Sequence, residues 1–332
     1  MTRTIRVLNG LKKTGFHSGR LHANNIISGT VDVTLGSGDG TATVTFAKPL
    51  NNATYRVLLC PQEATTNDDL TLSVTTKTPK SFVINVYSTD HTSPITIGFL
   101  VLANHMDNVA DSNSRFGFHS GHAYFKNLQW GKAEVAISGG AGTDKIITFK
   151  KPMNNKPLIF LSFDDDTAVT AGFAYIGAVQ TNGKFTIDVT AVAGPSTTVD
   201  ITWLAFDPGF NFGTTDAVAH KNVTDQNKQG KFGIHSGNFR AKNFLGGFNV
   251  DTTDASGDGT DAVTYGSMMK NTPVVFVGIQ SPVDDITGIA YASTITIAGH
   301  TVGVNNSNTT STALYYGWLA IDHEFRATNA AE

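Results

Sequence analysis

The stretch GFHSG occupies residues 15–19, returns unchanged at 117–121, and is echoed by GIHSG at 233–237. A histidine set between an apolar residue and Ser-Gly is a natural member of a catalytic constellation. It is equally natural in a strand that a chain uses three times. The segments downstream of each copy decide between the two. Each HSG leads to a glycine turn running into a strand, in GSGDGTATVTFAKPLNN, GAGTDKIITFKKPMNN and GDGTDAVTYGSMMKN. An apolar strand comes next, in TYRVLLCPQ, KPLIFLSFD and TPVVFVGIQ. A closing strand ends the unit, in ITIGFLVLAN, DITWLAFDPG and YYGWLAIDHE. The aromatics Phe99, Trp203 and Trp318 lie 82, 84 and 83 residues after His17, His119 and His235. Such constancy is the mark of one unit repeated three times, with length changes confined to loops and linkers.

Within each unit the pattern is β. TVDVTL, TATVTF, LTLSVTT and SFVINVYS alternate or carry β-branched runs, and Gly-Asp-Gly and Thr-Asn-Gly punctuate them as hairpin turns. No stretch holds a capped helical period. Six or seven short antiparallel strands in about 90 residues predict a β-sandwich with its own core. The predicted organisation is an N-terminal arm (1–14), sandwiches at 15–104, 116–208 and 232–325, linkers at 105–115 and 209–231, and a tail at 326–332.

Composition narrows the function. Lys+Arg number 24 against 27 Asp+Glu, a net charge of -3, so no electrostatic footprint for nucleic acid is present. No run approaches 18 apolar residues, and no membrane helix is predicted. The first residues, MTRTIRVLNGLKK, lack the apolar core of a secretory signal, which predicts synthesis and folding in a reducing cytoplasm. The single cysteine, Cys60, sits in the apolar run YRVLLC and reads as a small buried hydrophobe.

The three units resemble the H-type lectin domain of snail agglutinins and discoidins. The matching segments are HSGRL, VTFAKPLNNATYRVLL, KSFVINVYS and ITIGFLVLA in the first unit. In the second they are HSGHA, ITFKKPMNNKPLIFLSF, GKFTIDVT and ITWLAFD, and in the third HSGNF, VTYGSMMKNTPVVFVG and YGWLAID. The resemblance implies a six-stranded antiparallel sandwich that assembles in threes, with sugar sites near subunit boundaries. Three tandem units could then close into a pseudo-trimer within one chain. The family's sugar-holding aspartate falls at His22, Tyr124 and Arg240, none of them acidic. Its middle-strand arginine has no counterpart in DLTLSVTT. Of the late loops, only STDHTSP offers a planar polar pair, Asp90 and His91, as candidate glycan-binding residues.

As chemistry, HSG is weak. Neighbouring residues on a strand point to opposite faces, so His17 and Ser18 do not form a nucleophile–base pair. Three histidines about a threefold axis could in principle ligate zinc or nickel. The preferred reading places His17, His119 and His235 at the seams between units, so no metal and no cofactor is expected. The glycine turns lack the Gly-Lys-Ser/Thr ending of a phosphate loop. FDDDT (163–167) lacks the spacing of an EF-hand; it reads as a solvated loop whose first two acids match those of SPVDDIT. Phe99, Trp203 and Trp318 read as core.

These observations predict a non-enzymatic, all-β surface or structural protein. Lectin-like modules made without a secretory signal or disulfides fit a virus particle, whose proteins fold in the host cytoplasm and meet the outside on lysis. The expected role is a bacteriophage capsid-decoration, fibre or appendage component. Its expected partners are capsid or tail proteins, with host-surface attachment and further oligomerisation as extensions. Arg3, Arg6, Lys12 and Lys13 form a candidate docking arm. The alternative is a free glycan-binding lectin.

Overall fold

The computed structural model describes residues 3–7, 15–17, 20–23, 25–36, 38–46, 48–63, 70–88, 94–103, 117–119, 122–138, 141–164, 172–191, 197–207, 233–235, 238–252, 259–265, 268–280, 288–306 and 313–322. All regular structure among them is β. Strand β1 (Arg3–Val7) precedes the first copy. That copy holds β2 (Gly15–His17), β3 (Arg20–His22), β4 (Ile26–Val33), β5 (Asp39–Phe46), β6 (Arg56–Pro61), β7 (Thr71–Thr78), β8 (Ser81–Tyr87) and β9 (Ile95–Leu102). The second holds β10 (Gly117–His119), β11 (His122–Tyr124), β12 (Leu128–Ile137), β13 (Ala141–Thr148), β14 (Leu158–Phe163), β15 (Gly172–Gln180), β16 (Lys184–Ala191) and β17 (Thr197–Phe206). The third holds β18 (Gly233–His235), β19 (Asn238–Arg240), β20 (Phe244–Thr252), β21 (Gly259–Thr264), β22 (Val274–Ile279), β23 (Gly288–Ser293), β24 (Gly299–Asn306) and β25 (Ala313–Ile321).

Every copy repeats one plan. A short hairpin opens it, and two antiparallel three-stranded arrays face each other. In the first copy these are β4-β9-β6 and β5-β8-β7; the same orders recur as β12-β17-β14 with β13-β16-β15, and as β20-β25-β22 with β21-β24-β23. A parallel pairing of β7 with β14 at Ser73 and Phe163 joins two of the arrays, with β1 beside β5, into one seven-stranded sheet β1-β5-β8-β7-β14-β17-β12. The HSG phrase does not lie within one strand, as the sequence suggested. His17 pairs with Arg20, His119 with His122 and His235 with Asn238, so each histidine ends one strand and the next strand begins after Ser-Gly. The phrase marks a hairpin used three times. A second turn explains a glycine in GSGDGT: Gly36 and Asp39 bridge, and Gly38 takes φ 96°, a left-handed conformation that glycine adopts without steric cost.

Strand alternation sends side chains to two kinds of core. Between the arrays of each copy lies a private one, with Val44, Phe82 and Phe99 in the first, Ile159, Phe185 and Trp203 in the second, and Val275, Val302 and Trp318 in the third. The other faces of the β4, β12 and β20 arrays meet in a further cluster. It contains Leu58, Leu100 and Leu102 from the first copy, Phe160, Leu204 and Phe206 from the second, and Phe276, Leu319 and Ile321 from the third. Strands apolar on both faces, such as RVLLCP and LIFLSF, are therefore buried on both. Phe206 and Phe244 stack edge to face across two copies, with centroids 5.3 Å apart.

Opposite each closing-strand aromatic stands a glycine: Gly29 pairs with Phe99, Gly131 with Trp203 and Gly247 with Trp318. A Cβ on Gly247 would lie 2.3 Å from the Trp318 ring, so the ring lies over the bare backbone. The closing aromatics also meet other rings: Phe99 packs with Phe82, Trp203 with Phe149 and Phe185, and Trp318 with Tyr265 and His300. Phe99, Trp203 and Trp318 are thus core residues, all buried.

Candidate functional site

The functional geometry lies where the three copies meet. Register aligns the strands, because Leu59, Leu161 and Val277 each face the closing aromatic of their own copy. The last polar position of TYRVLLCPQ, KPLIFLSFD and TPVVFVGIQ is then Gln62, Asp164 and Gln280. The two glutamines reach across copies in one sense. The Gln62 amide donates to the Val275 carbonyl (2.7 Å) and accepts from the Val275 N–H (3.0 Å), joining copy one to copy three. Gln280 does the same with Ile159 at 2.6 and 2.9 Å, joining copy three to copy two.

Copy two reaches copy one differently. Ser162 accepts from the Leu59 N–H at 2.9 Å and donates to its carbonyl at 3.4 Å. Asp164 pairs with Lys77 and lies 3.6 Å from Arg56. β6 and β22 are edge strands of their sheets, and exposed edges invite unwanted pairing, whereas β14 pairs in parallel with β7 of the first copy at Phe163 and Ser73. Each of the two edges is met by a side chain of another copy. Asp164 is therefore a buried seam residue and not part of a solvated loop. Burial pushes its carboxyl upward against the opposing pull of Lys77, Arg56 and Lys132. The expected match of its loop acids to SPVDDIT also shifts, because Asp164 stands where copy three has Gln280. Asp165, Asp166 and Thr167 lie outside the described residues.

A cavity of about 120 Å³ sits at this junction. Leu59, Cys60, Ile159, Leu161, Val277 and Gly278 line it, so every copy contributes. Cys60 is buried and free, and burial pushes its thiol up to about 12, which removes it as a nucleophile at neutral pH.

The remaining candidates are scattered. His17, His119 and His235 end β2, β10 and β18, while their side chains lie outside the described part of the structure. Asp90, His91, Lys12 and Lys13 are outside the described residues. Arg3 and Arg6 lie on β1, which pairs in parallel with β5, Arg3 opposite Ala42 and Arg6 opposite Thr45. Among the described residues no group of three His, Cys, Asp or Glu is placed to hold a metal, and no helix is long and apolar enough to cross a membrane. Sequence reasoning passed over Gln62, Ser162 and Gln280, and it read Asp164 as part of a solvated loop. The available signal was a polar residue closing an otherwise apolar strand at the same place in every copy.

Comparison with protein-family models, with curated proteins and with solved structures returned no match.

Proposed function

We propose that the chain is a non-enzymatic structural block, an intrachain pseudo-trimer of lectin-type sandwiches that acts through protein–protein contacts in a virus particle. The observation that carries the reading is the one-way circuit of seam contacts, copy one to three, three to two and two to one. A heterologous contact repeated in one sense makes a ring when its rotation closes. Such a block suits a threefold position on a capsid, fibre or appendage, because it offers three similar faces from one polypeptide. The three late loops differ in sequence, which suits three different neighbours. The segment carrying Arg3, Arg6, Lys12 and Lys13 is assigned to docking.

Mass spectrometry of gradient-purified particles from the source of the gene tests this reading. Recovery of the chain in fixed stoichiometry supports it, and its absence from the particles overturns it. The Asp90–His91 pair favours a second reading, a free glycan-binding lectin. Reproducible array binding to one sugar class, lost in Asp90→Ala and His91→Ala, would establish that reading instead.

A further inference from the structure

We propose that the junction cavity is a binding site for a small apolar molecule, up to about the size of benzene. The threefold equivalence of the copies shows why the space exists. Leu72, Ala174 and Ala290 occupy equivalent positions, each opposite an equivalent valine of the adjoining strand (Val86, Val189 and Val304), and all three line the cavity. Only the first copy fills its share with leucine. Cys60, Ser162 and Gly278 are likewise equivalent and diminish in size around the junction. At Gly278 the space is fixed by the neighbour: a Cβ there would lie 2.5 Å from the Ile159 carbonyl oxygen. At 174 and 290, by contrast, leucine is the residue that the first copy already carries.

The lining chemistry selects the ligand. Its side chains are apolar apart from Ser162 and the weakly polar thiol of Cys60. The Ser162 hydroxyl is occupied by the Leu59 backbone, as acceptor and as donor. Apolar side chains of this kind give dispersion contacts to an apolar guest, and a space of about 150 Å³ suffices for benzene or xenon. Leu72, Leu161, Val277 and Ile289 are only half-buried, which gives a small molecule a way in.

The test is methyl NMR of the full chain under rising xenon pressure, followed by benzene titration. The expected result is saturable shifts at the methyls of Leu59, Leu72, Leu161 and Val277, without shifts at Val44 in the private core of the first copy. Benzene is expected to raise the thermal midpoint. Ala174→Leu and Ala290→Leu, which fill the space, are expected to weaken binding at least tenfold while leaving the spectrum folded. Absence of saturable shifts at the cavity methyls of the wild-type chain overturns the proposal. So does equal binding by either folded variant.

Discussion

Gln62 and Val275 are 213 residues apart in the chain, yet the side-chain amide of one completes both backbone hydrogen bonds of the other, at 2.7 and 3.0 Å. The pairing does for an edge strand what another strand would do, and it ties the first copy to the third. Gln62→Ala leaves a buried N–H and carbonyl unpartnered on β22. Each such group costs roughly 1–3 kcal/mol, so the expected loss for the two is about 2–6 kcal/mol. Urea unfolding of variant and wild type measures it. A change within a few tenths of a kcal/mol would show that the seam contributes nothing.

The Asp164 seam is the charged counterpart. Asp164→Ala strands Arg56 and Lys77 against a buried surface, and breaking a buried pair in this way costs about 3 kcal/mol. Copying the other seams is expected to recover most of that loss. The double variant Arg56→Val with Asp164→Gln places at 56 and 164 the residues found at Val274 and Gln280. Midpoints from chemical denaturation compare the three proteins. A double variant weaker than Asp164→Ala would mean that the seams are not interchangeable.

His300 stands where the other copies have Phe82 and Phe185. It packs against Tyr265 and Trp318, and Tyr265 hydrogen-bonds its Nδ1 at 2.9 Å. Burial lowers its pKa from 6.5 to about 3. The fold holds the imidazole neutral, whereas the unfolded chain protonates it below about pH 6.5. Its contribution is therefore fully present above pH 6.5 and lost as pH falls from there toward 3, by up to about 1.4 kcal/mol per pH unit. His300→Phe removes that slope. The measurement is the wild-type minus variant difference in unfolding free energy between pH 7 and pH 4. A flat difference contradicts the prediction.

Gly247 tests the ring-over-backbone contact. Gly247→Ala places a methyl group against Trp318, and overpacking of this kind costs about 1–3 kcal/mol. Loss of tryptophan near-UV dichroism together with a lowered thermal midpoint is the expected signature. Alanine at Gly183 serves as the control, because an added Cβ there meets only the Thr181 hydroxyl, at 4.0 Å.

Much of this architecture was legible in the sequence. The three copies, their β class and the core role of Phe99, Trp203 and Trp318 follow from periodicity and constant spacing. What periodicity cannot show is which of two buried faces a strand turns to its own copy and which to the others. RVLLCP is apolar on both, so the shared core formed by Leu58, Phe160 and Phe276 left no separate mark. The seam residues were hidden for a related reason. Gln62 and Asp164 look like strand ends entering polar loops, and only the register shows them crossing to another copy. HSG misled because a strand and a hairpin corner share the same small residues.

The most direct test of the closed arrangement is small-angle scattering from the monomeric chain. Three copies sharing one core form a single compact body, for which 332 residues give a radius of gyration of about 20 Å. A value near that, unchanged by salt, is the predicted result. A much larger value, with a distance distribution showing three separated peaks, would contradict it and leave the sandwiches strung along their linkers.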